Sequence, residues 1–262
     1  MSDNDAAGDI TVSVDAHVAT VEIHRPPNNF FDFRLMRALA DIYESLDEDP
    51  QCRAIMLCSE GEHFCAGANL QARETWSEER LESQAGNLYI EAVRLFRAGK
   101  PVVAAVQGAA VGGGLGLALS ADFRVTCEEA RFSANFSRLG FHQGFGLSVT
   151  LPRLIGATQA ELLLLTGRRV NGREAYRLGL AEELVPRERV RERARELAAE
   201  IAQSAPLAVQ AIRATQRAGL AEEIARATEH ELAEQSRLRR SEDFAEGVKA
   251  MGERRRPRFT GR

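Results

Sequence analysis

Apolar and polar residues alternate from Ile10 to Val14 and again from His17 to Ile23, on either side of Asp15-Ala16. A period of two predicts a hairpin of half-buried strands. The period then lengthens. Leu35, Met36, Leu39, Ile42, Tyr43 and Leu46 share one helical face behind Asp32, a residue type suited to capping, so a helix is expected from Asp32 to about Leu46. Arg53 to Cys58 reads as a short buried strand, followed by a loop over Ser59 to Leu70. Trp76, Leu81, Leu88, Ile90, Val93 and Phe96 mark a second helix that Gly99 ends. Pro101 to Val106 is another buried strand and leads into a glycine-rich run, Gly108 to Gly116. Leu117 to Ser120 then reads as helix and Asp122 to Cys127 as strand. Strand, helix and strand in this order imply parallel pairing through helical crossovers, an α/β architecture.

From about Gly156 onward the pattern is helical, with one short strand near Ala181 to Val185. Arg187 to Gln203, Pro206 to Ala218 and Ala221 to Arg239 are amphipathic, and Ser204-Ala205-Pro206 separates the first two. A soft boundary near residue 200 divides a core, 1–200, from a helical region, 201–262. The terminal helices are too polar to make a core alone and need the main domain or another subunit to cover them.

The chain has 262 residues, 44% of them hydrophobic and 27% charged, enough for a proper core without disulfides or metal. No apolar run is long enough to span a membrane. Met1 to Asp9 is acidic and polar, unlike a signal peptide, so a cytoplasmic protein is expected. A net charge of −4 argues against a nucleic-acid-binding role. Cys52, Cys58, Cys65 and Cys127 stand at no metal-ligand or redox spacing and are expected as reduced thiols. Gly-x-Ser-x-Gly, His-Glu-x-x-His and Cys-x-x-Cys motifs are absent.

Two segments are suited to chemistry. His63-Phe-Cys-Ala66-Gly67-Ala68-Asn69-Leu70 is a loop of small residues that lets backbone approach a ligand. Gly112-Gly113-Gly114 follows a buried strand and opens a helix, where free N–H groups attract negative charge. Two such N–H groups aimed at one point make an oxyanion hole. A phosphate-binding P-loop is excluded, because no Lys-Ser/Thr follows the glycines, and the spacing does not fit the dinucleotide fingerprint. A plain strand-to-helix turn is the other reading of the run.

Taken together these segments resemble the enoyl-CoA hydratase/isomerase (crotonase) family across nearly the whole chain. His24-Arg-Pro-Pro-Asn-Asn29 is similar to its Arg-Pro turn, and Phe64-Cys-Ala-Gly-Ala-Asn-Leu70 to its Phe-Cys-Ala-Gly-Ala-Asp-Leu loop. Lys100-Pro101-Val-Val-Ala-Ala-Val-Gln-Gly108, continuing to Gly116, resembles its Lys-Pro-Val-Ile-Ala-Ala-Val-x-Gly segment with the glycine triplet. Leu163 to Arg168, Ala175 to Val185 and the tail Arg255 to Gly261 follow in family order. The resemblance implies a ClpP/crotonase-like spiral of ββα units, a C-terminal trimerisation region and a homotrimer or hexamer. It implies an acyl-CoA thioester as ligand, with coenzyme A part of the substrate and no other cofactor. It places the oxyanion-hole N–H groups at Ala68 and Gly113. It makes Arg25, Asn28, Ala66, Gly67, Asn69, Leu70, Gly112, Phe136 and Leu139 candidate contacts for the substrate and its CoA.

The chain departs from the family at the two positions where hydratases carry glutamates, which here are Gly116 and Phe136. Neither can move a proton. In the segment that follows, His142 is a candidate base, because imidazole is the side-chain type that changes charge near neutral pH, and Gln143 is a candidate to position water. A surface turn or structural hydrogen bond is the plainer role for His142. Lesser candidates are His63, Cys65 (more simply a buried thiol), Glu74, Glu78, Glu79 and Glu82 (more simply a solvated face), and Trp76, Leu81 and Leu88 as acyl-pocket walls. Arg254, Arg255 and Arg256 are candidates for CoA phosphates. The expectation is an acyl-CoA enzyme with an altered acid/base set. The alternatives are a β-diketone or β-ketoacyl hydrolase using His142, and a non-catalytic acyl-CoA-binding relative.

Overall fold

The computed structural model describes residues 8–70 and 88–262. Strands β1 (Ile10–Asp15) and β2 (Val18–Ile23) form the expected hairpin, closed at Asp15 and Val18. Ala16 and His17 both take positive φ, 47° and 66°, the left-handed pair that a two-residue hairpin turn demands. Helix α1 (Phe33–Glu48) starts where Asp32 accepts a hydrogen bond from the Leu35 N–H at 2.9 Å. It buries Leu35, Met36, Leu39, Tyr43 and Leu46.

Strands β3 (Ala54–Ser59) and β4 (Val102–Val106) are buried along their whole length, as parallel strands covered on both faces are. Between them lies α2, described over 88–96. Leu88, Val93 and Phe96 face inward as expected, but Ile90 is 63% exposed. After β4 come β5 (Ala109–Val111), α3 (Gly113–Ser120), β6 (Phe123–Thr126) and β7 (Arg131–Ser133). A 3-10 turn (Asn135–Leu139), α4 (Leu147–Ile155), α5 (Ala157–Thr166), β8 (Arg169–Asn171), α6 (Gly172–Leu178) and β9 (Glu183–Leu184) follow.

The main sheet has the order β1-β2-β3-β4-β6-β9, parallel from β2 onward. After each of its central strands the chain crosses to a second, shorter ladder. Phe31 pairs with Ala68 there, Cys65 with Ala110, β5 with β7 and β7 with β8. A helix then returns the chain to the main sheet. This repeat is the expected spiral of strand-strand-helix turns. It explains why the loops after β3 and β4 are neighbours, since consecutive turns stack them in one ladder.

Helix α7 (Val190–Ala202) crosses β2, β3, β4 and β6 with Val190, Ala194, Ala198 and Ala202 buried, small residues that allow close packing. Helices α8 (Pro206–Gln216), α9 (Leu220–Leu238) and α10 (Glu242–Gly252) complete the chain. Helix α9 packs on α4 and α10 on the 3-10 turn, so the region after residue 200 folds back onto the core. Strand β8 and helix α4 lie outside the expected elements, α10 falls within the helical region expected after residue 200, and α3 opens at the glycine triplet and runs through the helix expected over Leu117 to Ser120.

Candidate active site

Polar residues beneath the loop after β3 hold it in place. Asn29 is fully buried and donates through Nδ2 to the Glu60 and His63 carbonyls at 2.8 and 2.7 Å. Ser59 and Gln107 donate to the same His63 carbonyl at 3.1 and 3.3 Å. The loop then enters the short ladder. The Cys65 N–H donates to Ala109 O, and the Val111 N–H to Cys65 O, at 2.8 and 3.0 Å. The Ala66 N–H donates to the Asn28 carbonyl at 2.9 Å, which is the role the structure gives Asn28. Gly67 turns with φ +89°, its carbonyl accepts from the Phe31 N–H at 3.0 Å, and a side chain there would strike Val111 O at 2.7 Å. Only glycine fits such a site.

The second loop arrives beside it. The Gly112 N–H is anchored on Ser133 O at 2.8 Å, and α3 begins at Gly113. A Cβ built on Gly67 would stand 3.8 Å from the Gly113 nitrogen, so the two loops touch. A first-turn N–H has no acceptor within its own helix. Among the described residues neither the Ala68 nor the Gly113 N–H donates to a protein acceptor. The structure therefore packs the loop of Ala66, Gly67 and Ala68 against Gly112 and Gly113 at the positive end of α3, with the Ala68 and Gly113 N–H groups unspent among the described residues. Two such donors, where they converge, stabilise a carbonyl oxygen that gains negative charge.

The surroundings are aromatic. Ring atoms of Phe31 lie where a Cβ on Gly113 would be. A Cβ on Gly116 would lie 2.6 Å from Phe145 Cβ and Cδ1, so Phe145 fills the space a side chain at 116 would need. The Phe31 and Phe145 rings pack at 5.6 Å between centroids. Phe136 is 9% exposed, and its Cζ would lie 3.7 Å from a Cβ on Gly112. The Cys65 thiol beneath is fully buried, and burial pushes its pKa up to about 12, which makes it an inert packing group. His63 is half-buried, with Nδ1 unpaired.

Other expected site residues are placed elsewhere. In the loop between the 3-10 turn and α4, Phe145 is the side chain that reaches the glycines. The His142 ring packs edge-on against His230 of α9 at 5.8 Å, with Nδ1 2.8 Å from the Gln143 carbonyl. Gln143 donates to Ser148 Oγ at 3.1 Å. Arg25 is spent inside the chain, on Asp9 at 2.7 Å and Asp32 at 3.1 Å. Arg255 pairs with Glu246 and Glu253, while Arg254 and Arg256 are exposed. Leu139 is buried beneath α10, and Asn69 and Leu70 are half-buried at the end of the loop. Glu74, Trp76, Glu78, Glu79, Leu81 and Glu82 fall outside the described residues. Among the described residues no cluster of side chains is arranged to hold a metal ion.

Sequence reasoning missed Phe145, Asn29 and Glu231. Glu231 is fully buried on α9 and accepts from the Gly146 and Ser148 N–H groups at 2.9 and 3.0 Å, capping α4. A signal was present: Ile224, Thr228, Glu231 and Gln235 follow one helical stripe whose polar members are buried.

Known proteins resemble the chain along nearly its whole length. The family model for enoyl-CoA hydratase/isomerase matches residues 13–262. A carnitinyl-CoA dehydratase of Proteus mirabilis is 34% identical over 250 residues, 94% of this chain and 95% of that protein. An (E)-benzylidenesuccinyl-CoA hydratase of Thauera aromatica is 32% identical over 260 residues, 96% of this chain and 99% of that protein. The crystal structure of an enoyl-CoA hydratase/isomerase from Pseudoalteromonas atlantica superposes with a TM-score of 0.85 at 29% identity, covering 96% of this chain and all of that one.

Proposed function

Since the chain belongs to the enoyl-CoA hydratase/isomerase family and has its crotonase fold, we propose that it is an acyl-CoA enzyme that holds the thioester oxygen between the N–H groups of Ala68 and Gly113. The observation that carries this reading is the pair of unspent N–H groups on two loops locked side by side. When the α-carbon loses a proton, or water adds to a conjugated double bond, negative charge moves onto that oxygen, and it leaves again when the α-carbon takes up a proton. Fixed donors stabilise it with little reorganisation, an effect worth about 2.7–4 kcal/mol per donor. Coenzyme A enters as part of the substrate, with no further cofactor.

Proton transfer in this reading does not use the pair of carboxylates that the resemblance assigns to hydratases. Phe145 occupies the space at Gly116, and Phe136 stands at the second position. Water or a group on the substrate then carries the proton. The names of the two relatives, a dehydratase and a hydratase, favour addition or removal of water over other chemistry. A hydrolytic reaction with His142 as base is less well supported, because that ring packs on α9.

The aromatic filling also favours a second reading, binding of acyl-CoA without turnover. One experiment separates the two. Crotonyl-CoA is incubated with the pure protein in heavy-oxygen, deuterated water, and the thioester is read by mass spectrometry beside a binding isotherm. Label across the double bond supports catalysis without the glutamates. Tight binding with no label on crotonyl-CoA or on 3-ketoacyl and aromatic thioesters supports the binding role. No binding of any acyl-CoA overturns both.

A further inference from the structure

Resting on that reading of the site, we propose that Asn135 determines substrate specificity by hydrogen-bonding an oxygen substituent on the acyl chain, a β-hydroxyl or β-keto group, next to the bound thioester. Among the described residues, the side chains nearest the glycine turn are Phe31, Phe136 and Phe145, the Cys65 thiol and Asn135. Three are apolar rings and the thiol is sealed in the core. Asn135 carries the remaining polar group. Its Oδ1 would lie 3.6 Å from a Cβ on Gly112, and Phe136 Cζ is its one companion within 4 Å among the described residues. Gly112 directly precedes Gly113, the proposed donor to the thioester oxygen. A group bonded to Asn135 therefore sits a few atoms from the thioester carbon.

The placement is set by backbone. Ser133, two residues before Asn135, accepts the Gly112 N–H at 2.8 Å, and Asn135 opens the 3-10 turn that carries Phe136. Among the described residues the Asn135 amide has no hydrogen-bond partner, and the residue is half-buried. An amide both donates and accepts, so it can engage a hydroxyl or a ketone, and it does not titrate. A half-buried, unspent amide in an aromatic wall rewards a substrate that satisfies it over one that leaves it unpaired.

The test uses the full chain and three thioesters of equal length: butyryl-CoA, 3-hydroxybutyryl-CoA and acetoacetyl-CoA. Dissociation constants are measured by calorimetry for the wild type, Asn135→Ala and Asn135→Leu, with circular dichroism to verify folding. Leucine keeps the side-chain volume and removes both polar atoms, so one variant remains informative if the other fails to fold. The wild type is expected to bind at least one oxygenated ester about fivefold more tightly than butyryl-CoA. In the variants that ratio is expected to fall to about one, because the oxygenated esters lose affinity. A wild-type ratio near one, or a ratio that survives in the folded variants, overturns the assignment. Failure of all three esters to bind the wild type overturns the acyl-CoA reading beneath it.

Discussion

At Gly116 the side chain is limited by a neighbour rather than by backbone dihedrals. Alanine normally stabilises a helix relative to glycine by about 1 kcal/mol. Here a Cβ would lie 2.6 Å from Phe145, itself buried and held at φ +63°. Overpacking of this kind costs about 1–3 kcal/mol. Gly116→Ala is therefore expected to lower stability, read as a smaller denaturant midpoint, against its helix propensity. Gly116→Glu is expected to destabilise further and to confer no hydration of crotonyl-CoA. A stabilised Gly116→Ala would show that Phe145 yields easily and does not close the position. The absence of a carboxylate at 116 and 136 was legible in the sequence, as were the two small-residue loops. That Phe145 seals the first position was not, because no local pattern tells which residue of a seven-residue loop turns inward. His142, a candidate base by residue type, instead packs against His230 of α9.

Helix α4 shows how elements hold one another. Its first turn begins at Gly146, and its N–H groups are satisfied from α9, eighty-odd residues away, by Glu231. Gln235, one turn further on, donates to the His142 carbonyl at 3.0 Å and accepts from Tyr89 at 2.8 Å. The loop that carries Phe145 is thus clamped by one face of α9. Burial is the largest influence on Glu231 and raises its pKa, while the hydrogen bonds from Ser148 and Gly146 pull it back. The folded protein therefore holds this proton to higher pH than the unfolded chain does. The stability that Glu231 contributes is greatest below the unfolded pKa and falls as pH rises through the folded one. Glutamine cannot titrate, so the stability of Glu231→Gln relative to wild type is expected to improve as pH rises from about 4 to 7. Chemical denaturation across that range checks this, and a constant difference would sink it. Glu231→Ala leaves two N–H groups unpaired and is expected to cost about 2–3 kcal/mol at the acid end of the range, a cost that narrows as pH rises because alanine does not titrate either. The hairpin, α1, β3, β4 and β6 were legible because their periodicity and caps are local. Strand β8 and helix α4 were not, since a three-residue strand carries too little period and α4 takes its cap from α9.

On the scale of the molecule, α8 is fixed in place and yet uncovered. Arg213 and Arg217 reach from it to Asp122 at 2.9 and 2.8 Å, and Asp122 also accepts the Val102 N–H at 2.8 Å, at the start of β4. All three charged side chains are largely buried, so the helix is anchored to the sheet by an ion cluster. No residue of α8 is buried in the single chain, and Leu207 and Ile212 are 80% and 63% exposed. Leu165 on α5 is 77% exposed as well. An anchored helix that displays large apolar side chains fits an interface between copies better than a solvent-facing role. The sequence left two covers open, since the terminal helices are too polar to make a core alone and need the main domain or another subunit. The stoichiometry that the family resemblance implies, a homotrimer or hexamer, makes α8 a face to test. Leu207→Glu combined with Ile212→Glu replaces side chains that make few contacts within the chain, so each alone is expected to change monomer stability by no more than about 0.5 kcal/mol. Across an interface the same changes bury unpaired charge and disfavour assembly. Sedimentation or light scattering on wild type and double variant decides between these cases. A wild-type particle that falls to one-chain mass in the variant, with its fold intact by circular dichroism, places α8 in the interface. An oligomer of unchanged mass in the variant removes α8 from it.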